Sequence, residues 1–490
     1  MKKQEFFHIN KYTRRFDKKT GKFIININYK TAAPEPTSRV VGVAEAFGLG
    51  LDKWEKFVVY DNVELKIEPT DIVYITGDSG SGKSVLLKAL EKDIRQDLGL
   101  KCINIAHIKP EQNKPLIETV GKSLEESLDL LSRVGLNDAF LFLRNYEQLS
   151  DGQKYRYKIA KMIESQAQFW IMDEFAATLD RDTAKIVAFN LQKLARQMGK
   201  AVLAATTHTD LFEDLNPSVR IHKRFGREIT VNYYPNTPAR ECSLVKEMHI
   251  EEGTPADYKA LSLFHYRSSR LPPPRKIFKL KRKEELCGVI VYSYPPPTIF
   301  GRNKALKGSL SQIQKELSTI TRVIIHPKYR SIGLGVKIVK ETLPLAGTPN
   351  VETLAVMAKY NPFFEKAGMQ KIAESKPNKH LLEAIEKLHK LGFKPEMLAS
   401  QKHNLEKIRK VNRRKIVEIL IELSRKGAIS RKRVLPSSQA YPSHEEFADK
   451  AEKLGDEELA AALKKLGFLA QTKIYLFWNK SLNNAKTKFA

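Results

Sequence analysis

Residues 71–84, Asp71-Ile-Val-Tyr-Ile-Thr-Gly-Asp-Ser-Gly-Ser-Gly-Lys-Ser84, leave this chain less conformational choice than any other stretch. The β-branched and aromatic run reads as a buried parallel strand, and it enters a loop with three glycines that ends in Lys83 and Ser84. Such a loop curls its main-chain N–H groups around an anion, and Val85-Leu-Leu-Lys-Ala-Leu reads as a helix whose N-terminal dipole faces the same point. Gly77, Asp78, Ser79, Gly80, Ser81 and Gly82 would form the cradle, Lys83 would reach the β- and γ-phosphates of a nucleotide, and Ser84 would ligate Mg²⁺. Strand, loop and helix in this order predict an α/β fold around a parallel sheet.

Farther on, Phe169-Trp-Ile-Met reads as a second buried strand that delivers Asp173 and Glu174 to the rim of the same sheet. Neighbours on a strand point to opposite faces, so the two acids divide the work: Asp173 holds the Mg²⁺ shell and Glu174 polarises the attacking water. Phe175-Ala-Ala-Thr-Leu-Asp180 follows, and a further strand, Val202-Leu-Ala-Ala-Thr-Thr, ends at His208, placed to sense a γ-phosphate. Ahead of the acids stands Leu149-Ser-Asp-Gly-Gln153.

With these elements in this order, residues 40–235 resemble the ABC ATPase family, and Leu149–Gln153 is similar to its signature loop. The resemblance implies that Ser150 and Gly152 contact the γ-phosphate held by a second copy, so that a head-to-tail homodimer completes two ATP sites. It also implies a Mg²⁺-sensing glutamine at Gln112, against the plainer reading of an exposed loop amide. Phe47 is placed to stack on adenine, with Trp54 and Tyr60 as competitors and a core aromatic as the plain reading. Asp151 departs from the family, which has glycine there; an acid beside a partner's γ-phosphate is expected to slow turnover or weaken closure. The 90 residues from Lys83 to Asp173 leave no room for the coiled coil of chromosome-maintenance ATPases.

After the Pro-punctuated linker Tyr234–Arg240 a new domain is expected to open on a strand at Ser243, with a capped helix starting at Thr254-Pro255 and two strands around 276–292. A strand from Ile320 breaks at Pro327 and passes through Arg330, Gly333 and Gly335 into a helix, leaving open N–H groups suited to a pyrophosphate. This loop resembles the acetyl-CoA loop of the GNAT acetyltransferases, and Asn361-Pro-Phe-Phe-Glu-Lys-Ala-Gly368 resembles that family's next motif, the likeness spanning 241–375. It implies acetyl-CoA as a ligand. Phe364 stands where the family often has a Tyr that protonates the departing thiolate; Tyr360 or His326 would have to substitute, against plainer readings of a packed Tyr and a satisfied strand-end His.

Charge sorts the chain further. The total is +28, but residues 1–40 carry +7, residues 41–240 carry −1 and residues 241–490 carry +22. A positive field confined to the ends suggests a polyanionic partner, with nucleic acid, RNA first, as the favoured one and a solvated lysine-rich surface as the plain alternative. The basic runs 402–415 and 431–433 are its densest parts. Three dispersed cysteines show no zinc or paired-thiol spacing, and no apolar stretch suits a membrane helix or signal peptide, so a cytoplasmic protein without membrane contact is expected.

The predicted organisation is therefore a basic arm (1–40), an ABC-type P-loop ATPase domain (41–235), a GNAT-like α+β domain (241–375) and a basic, mainly helical region (376–490). The whole resembles an archaeal-type fusion of ABC ATPase and acetyltransferase-like domains. Two functions compete: an ATP hydrolase whose GNAT-like domain transfers acetyl to RNA or an RNA-bound protein, and a nucleic-acid-binding or remodelling ATPase whose GNAT-like domain only docks. An accessory subunit of a transporter is a third.

Overall fold

The computed structural model describes residues 7–31, 35–48, 56–265, 271–356, 358, 361–375, 377–435, 442–469 and 472–481. Contacts divide it into two units. The first holds the described residues through 265 with Phe278–Val289 and Ile324–Ile338; the second holds 271–277, Ile290–Val323 and the described residues from Val339 onward.

In the first unit, β1 (Phe7–Asp17), β2 (Lys22–Thr31) and β3 (Lys56–Lys66) make an antiparallel sheet, with helix α1 (Ser38–Phe47) between β2 and β3. Then come β4 (Ile72–Gly77), α2 (Lys83–Gln96), β5 (Cys102–Asn104), α3 (Asp151–Glu164), β6 (Phe169–Met172), α4 (Arg181–Gln197), β7 (Ala201–Ala205), β8 (Val219–Lys223) and β9 (Ile229–Tyr233). Their sheet has the order β5-β6-β7-β4-β8-β9, parallel except for the β8–β9 pair.

Alternation explains how one sheet serves two cores. Ile72 and Tyr74 of β4, Trp170 and Met172 of β6, and Val202 and Ala204 of β7 bury toward α3 and α4. Val73 and Ile75, Phe169 and Ile171, and Leu203 and Ala205 bury on the opposite face against Leu86, Leu87 and Leu90 of α2. Phe23, Ile25 and Ile27 of β2 join that second core, so residues 7–31 are not the free basic arm expected from their charge but two strands of the domain.

Residues 243–247 form a 3₁₀ turn and the expected strand starts only at β10 (Met248–Glu252). Then follow β11 (Pro274–Arg282), β12 (Glu285–Ser293), β13 (Leu317–Ile325), α5 (Leu334–Thr342), β14 (Asn350–Ala355), α6 (Phe363–Lys366) and β15 (Gln370–Ser375). The helices α7 (Lys379–Lys390), α8 (Gln401–Ile408), α9 (Arg413–Arg425), α10 (His444–Lys453) and α11 (Asp456–Leu469) precede a last strand, β16 (Lys473–Asn479). The strand order is β10-β11-β12-β13-β14-β16-β15.

Within the second unit, β13 and β14 pair in parallel over Leu317–Thr319, and β16 runs antiparallel to both β14 and β15. The region read as a helical tail after 375 is thus an insertion: its helices share a core of their own, including Leu388, Phe393, Leu420, Phe447 and Leu463, and β16 then returns to the sheet. A buried pair pins the strands. Glu352 accepts from the Arg302 guanidinium at 2.6 and 3.0 Å, from Thr319 at 2.8 Å and from Tyr475 at 2.9 Å, which satisfies both carboxylate oxygens. Among the described residues, no helix is long and apolar enough to cross a membrane.

Candidate functional site

The loop from β4 to α2 is shaped by two positions where only glycine fits. Gly77 (φ +144°) would place a methyl group 1.8 Å from Lys223 O, and Gly82 (φ +102°) would place one 2.6 Å from Val59 Cγ1. Tyr60 is buried and its hydroxyl donates to Gly82 O at 3.1 Å, so it braces the loop from behind and is not a stacking face for adenine. Phe47, at the end of α1, is 75 % exposed and free to stack; Trp54 lies outside the described residues.

Lys83 enters the first turn of α2 with its ammonium 2.8 Å from Gly77 O and 2.6 Å from Asp78 O. Burial pushes its pKa down, while Asp173 and Asp78 oppose the shift. Asp78, Ser79, Gly80 and Ser84 are exposed around it. Ser81 Oγ is buried without a hydrogen-bond partner among the described residues, an orphan that a phosphate oxygen would satisfy. A ring of N–H groups at a helix start, one cation held at its centre and one orphaned hydroxyl fit a nucleotide's phosphates.

The acids are separated by a different device from the one expected. β6 ends at Met172, and Asp173 and Glu174 stand on the turn beyond it, so strand alternation does not part them. Glu174 takes a left-handed conformation (φ +51°), with its N–H on Asp173 Oδ1 at 3.1 Å, and Ala176 repeats it (φ +56°). A non-glycine residue there costs on the order of 1–3 kcal/mol and is found where function requires it. Asp173 is half-buried and Glu174 exposed. The next strand, β7, stops at Ala205; the half-buried His208 follows, with its carbonyl accepting from the Tyr74 hydroxyl and its N–H donating to Thr206 Oγ1 at 3.2 Å. Gln112 is exposed on a bend.

Ser150 is the N-cap of α3. Its Oγ accepts from the Gln153 N–H at 3.4 Å, and the Gln153 side chain accepts from the Ser150 N–H at 3.0 Å, a reciprocal box that fixes the helix start and leaves Ser150 exposed. Asp151, the departure in this loop, occupies the first turn, where an acid complements the helix dipole. Gly152 faces Leu179, whose Cδ2 would lie 3.1 Å from an added methyl. Asp180 caps α4 by accepting from the Thr183 N–H at 3.1 Å.

The first turn of α4 also carries an ion cluster that sequence reasoning missed, because its members are far apart in the chain. Asp182 accepts from Arg282 at 2.9 Å, at the end of β11, and from Lys328 at 2.6 Å, in the loop after β13. Burial works to raise the Asp182 carboxyl, yet these two cations hold it below the ordinary carboxylate range. Tyr329 donates to Glu285 beside them, and Asn190 of α4 donates to Ser331 Oγ at 2.8 Å.

That loop is the one read as a pyrophosphate cradle. Gly333 (φ +88°) has open space around it, and Gly335 lies in the first turn of α5. Arg330, however, spends its guanidinium on main-chain carbonyls: Ile325 at 3.0 Å, Asn137 at 3.1 Å and Phe264 at 3.5 Å. Phe364 is buried and stacked 4.1 Å from Phe363. Burial lowers the His326 pKa, and its Nδ1 accepts from the Lys328 N–H at 3.3 Å; Tyr360 lies outside the described residues. The cysteines are free, and burial pushes the thiols of Cys102 and Cys287 up to about 11 and that of Cys242 higher, which keeps them protonated and poor nucleophiles.

Comparison with known proteins places this site in a family. The family described as "ABC transporter" matches residues 60–177. The cytochrome c biogenesis ATP-binding export protein CcmA of Gluconobacter oxydans is 31% identical over 167 residues, 31% of this chain and 76% of that protein. The methionine import ATP-binding proteins of Shouchella clausii and Helicobacter hepaticus are 26% and 25% identical over 41% and 32% of this chain. The chain spans 67% and 54% of the length of those two proteins. A solved structure of the ATP-binding cassette MJ0796, described as a dimeric post-hydrolysis state bound to ADP and Pi, matches at 19% identity with a TM-score of 0.31, over 36% of this chain and 92% of the other.

Proposed function

We propose, on the premise that this chain belongs to the ABC family of ATP-binding proteins, that it hydrolyses MgATP in a head-to-tail homodimer whose closure acts on the second half of the chain. The ABC ATPase domain implies ATP as substrate and Mg²⁺ as its ion. Ser84 and Asp173 would hold Mg²⁺, which when bound neutralises charge on the phosphates. Lys83 neutralises the β- and γ-phosphates, Glu174 orients the attacking water and accepts its proton, and His208 meets the γ-phosphate from the next strand. Ser150 and Gly152 close the partner's site from an exposed, firmly capped helix end.

The observation that carries this reading is the Lys83 ammonium, held between the carbonyls of Gly77 and Asp78 within the electrostatic reach of Asp173. Glu174→Gln tests it: ATP binding is retained, phosphate release falls about 10²- to 10⁴-fold, and the variant accumulates as an ATP-bound dimer in analytical ultracentrifugation. A variant that stays monomeric with saturating ATP contradicts the sandwich.

For the second half, the leading function is acetyl transfer from acetyl-CoA to RNA or an RNA-bound protein, gated by nucleotide. The glycine loop between β13 and α5 supports a GNAT-like reading. The Asp182 cluster supports gating, since it ties that loop to the helix capped by Asp180. Two observations favour the second reading, a non-catalytic docking domain on a nucleic-acid-binding ATPase. Phe364 cannot give the departing CoA thiolate its proton, and Arg330 is engaged by three carbonyls. Labelled acetyl-CoA incubated with the full chain, ATP and cell RNA and protein separates them: transfer selects the first, and RNA- or DNA-stimulated ATP turnover indifferent to acetyl-CoA selects the second.

A further inference from the structure

We infer that the corner between α8 and α9, in the helical insertion ahead of β16, is a docking surface for the phosphate backbone of nucleic acid; this deepens the nucleic-acid reading above and rests on it. Residues 401–415 carry seven basic side chains and one acid, Glu406. Lys402, Arg409, Lys410, Arg414 and Lys415 are exposed and Lys407 is half-exposed.

Elsewhere in the insertion several cations have acidic partners: Lys387 and Lys426 share Glu422 at 2.5 and 2.7 Å, and Lys450 meets Glu446 at 2.9 Å. The corner gathers its unpaired cations in one place. Among the described residues, Lys402, Lys407, Arg409, Lys410 and Lys415 have no carboxylate within ion-pair distance, and Arg414 has only Glu418 at 3.6 Å, with both side chains largely exposed. Arg413 alone turns inward, to the carbonyls of Glu452 and Leu454.

This arrangement is unfavourable for the fold by itself. Arg413, Arg414 and Lys415 occupy the first turn of α9 with no acid in that turn, where each cation opposes the helix dipole. A polyanion laid across the corner reverses the sign. The platform is firm: Asn412 caps α9, and Ile416, Val417 and Leu420 bury beneath it.

The chemistry also selects among polyanions. Among the described residues, large exposed hydrophobic side chains are absent beyond Met397, so the corner has neither the apolar anchors of a protein interface nor those that enter a lipid surface. Regularly spaced phosphates need only cations, and binding of this kind is independent of base sequence.

The test uses the full chain, the triple variant Arg409→Gln/Lys410→Gln/Lys415→Gln and, separately, Lys410→Glu. Fluorescence anisotropy is read with single-stranded RNA, with duplex DNA and with phosphatidylserine vesicles, across a salt series. The unaltered chain binds RNA or DNA with strong salt dependence. The triple variant binds at least about tenfold more weakly at low salt, with a log–log salt slope shallower by about two to three. Lys410→Glu weakens binding in the same direction, and both variants keep ATP turnover and thermal midpoint. If the unaltered chain binds nucleic acid and the variants bind equally well, the surface is misplaced while the wider reading stands. If the unaltered chain binds neither nucleic acid, or binds only the vesicles, both are overturned.

Discussion

A methyl group on residue 77 would lie inside the van der Waals radius of Lys223 O, in a main chain whose φ already excludes side chains, and the neighbour is backbone that cannot swing away. Gly77→Ala is therefore expected to destabilise the first unit by about 3 kcal/mol and to weaken ATP binding together with it. Thermal unfolding with and without ATP checks this; an unchanged midpoint contradicts the geometry. Glu174 sits under the opposite constraint. Its left-handed backbone is a local strain on the turn beyond β6, where its N–H donates to Asp173 Oδ1, so turn geometry and not strand alternation sets the two acids. Nothing in the apolar run 169–172 signals that turn, which is why alternation seemed a sufficient reason from the sequence.

Between elements, the contact that matters most for coupling is Asp182, because one carboxylate on α4 receives cations from β11 and from the loop ahead of α5. Asp182→Asn is expected to lower stability by about 1–2 kcal/mol at neutral pH, since Lys328 loses its carboxylate partner and Arg282 is left with one carboxylate, Glu247 at 2.8 Å. The sign with pH follows from a folded-state pKa held below its unfolded value: the contribution is full above about pH 4 and is lost as pH falls through the lower folded value. Urea titrations at pH 7 and at progressively lower pH below about 4 should show the variant's deficit at the first and its shrinkage along the series; a deficit that grows on acidification contradicts the assignment.

Legibility in the sequence tracked how local each feature is. The phosphate loop, the capped signature helix and the strands β4, β6 and β7 are set by contiguous residues, and they could be read at once. Ile25, Ile27 and Tyr29 do alternate with Asn26 and Asn28, a strand signal masked by the basic composition around it. β16 was illegible as a sheet member because its partners, Asn350–Ala355 and Gln370–Ser375, lie on the far side of the helical insertion. The Asp182 cluster was hidden for the same reason.

For the whole molecule, the charge division has a consequence for assembly. Residues 41–240 carry −1 and can face a second copy with little net repulsion, while the +22 of residues 241–490 lies outside that stretch. In a head-to-tail dimer every ATP site takes Lys83 from one copy and Ser150 from the other. Mixing a Lys83→Ala chain with a Ser150→Phe chain, each inactive alone, tests that sharing most directly. Half of the dimers formed would pair one intact Lys83 with one intact Ser150, so the mixture should recover up to about a quarter of normal ATP turnover. Recovery that rises with protein concentration is the result the shared site predicts, and a mixture as inactive as its two components would contradict it.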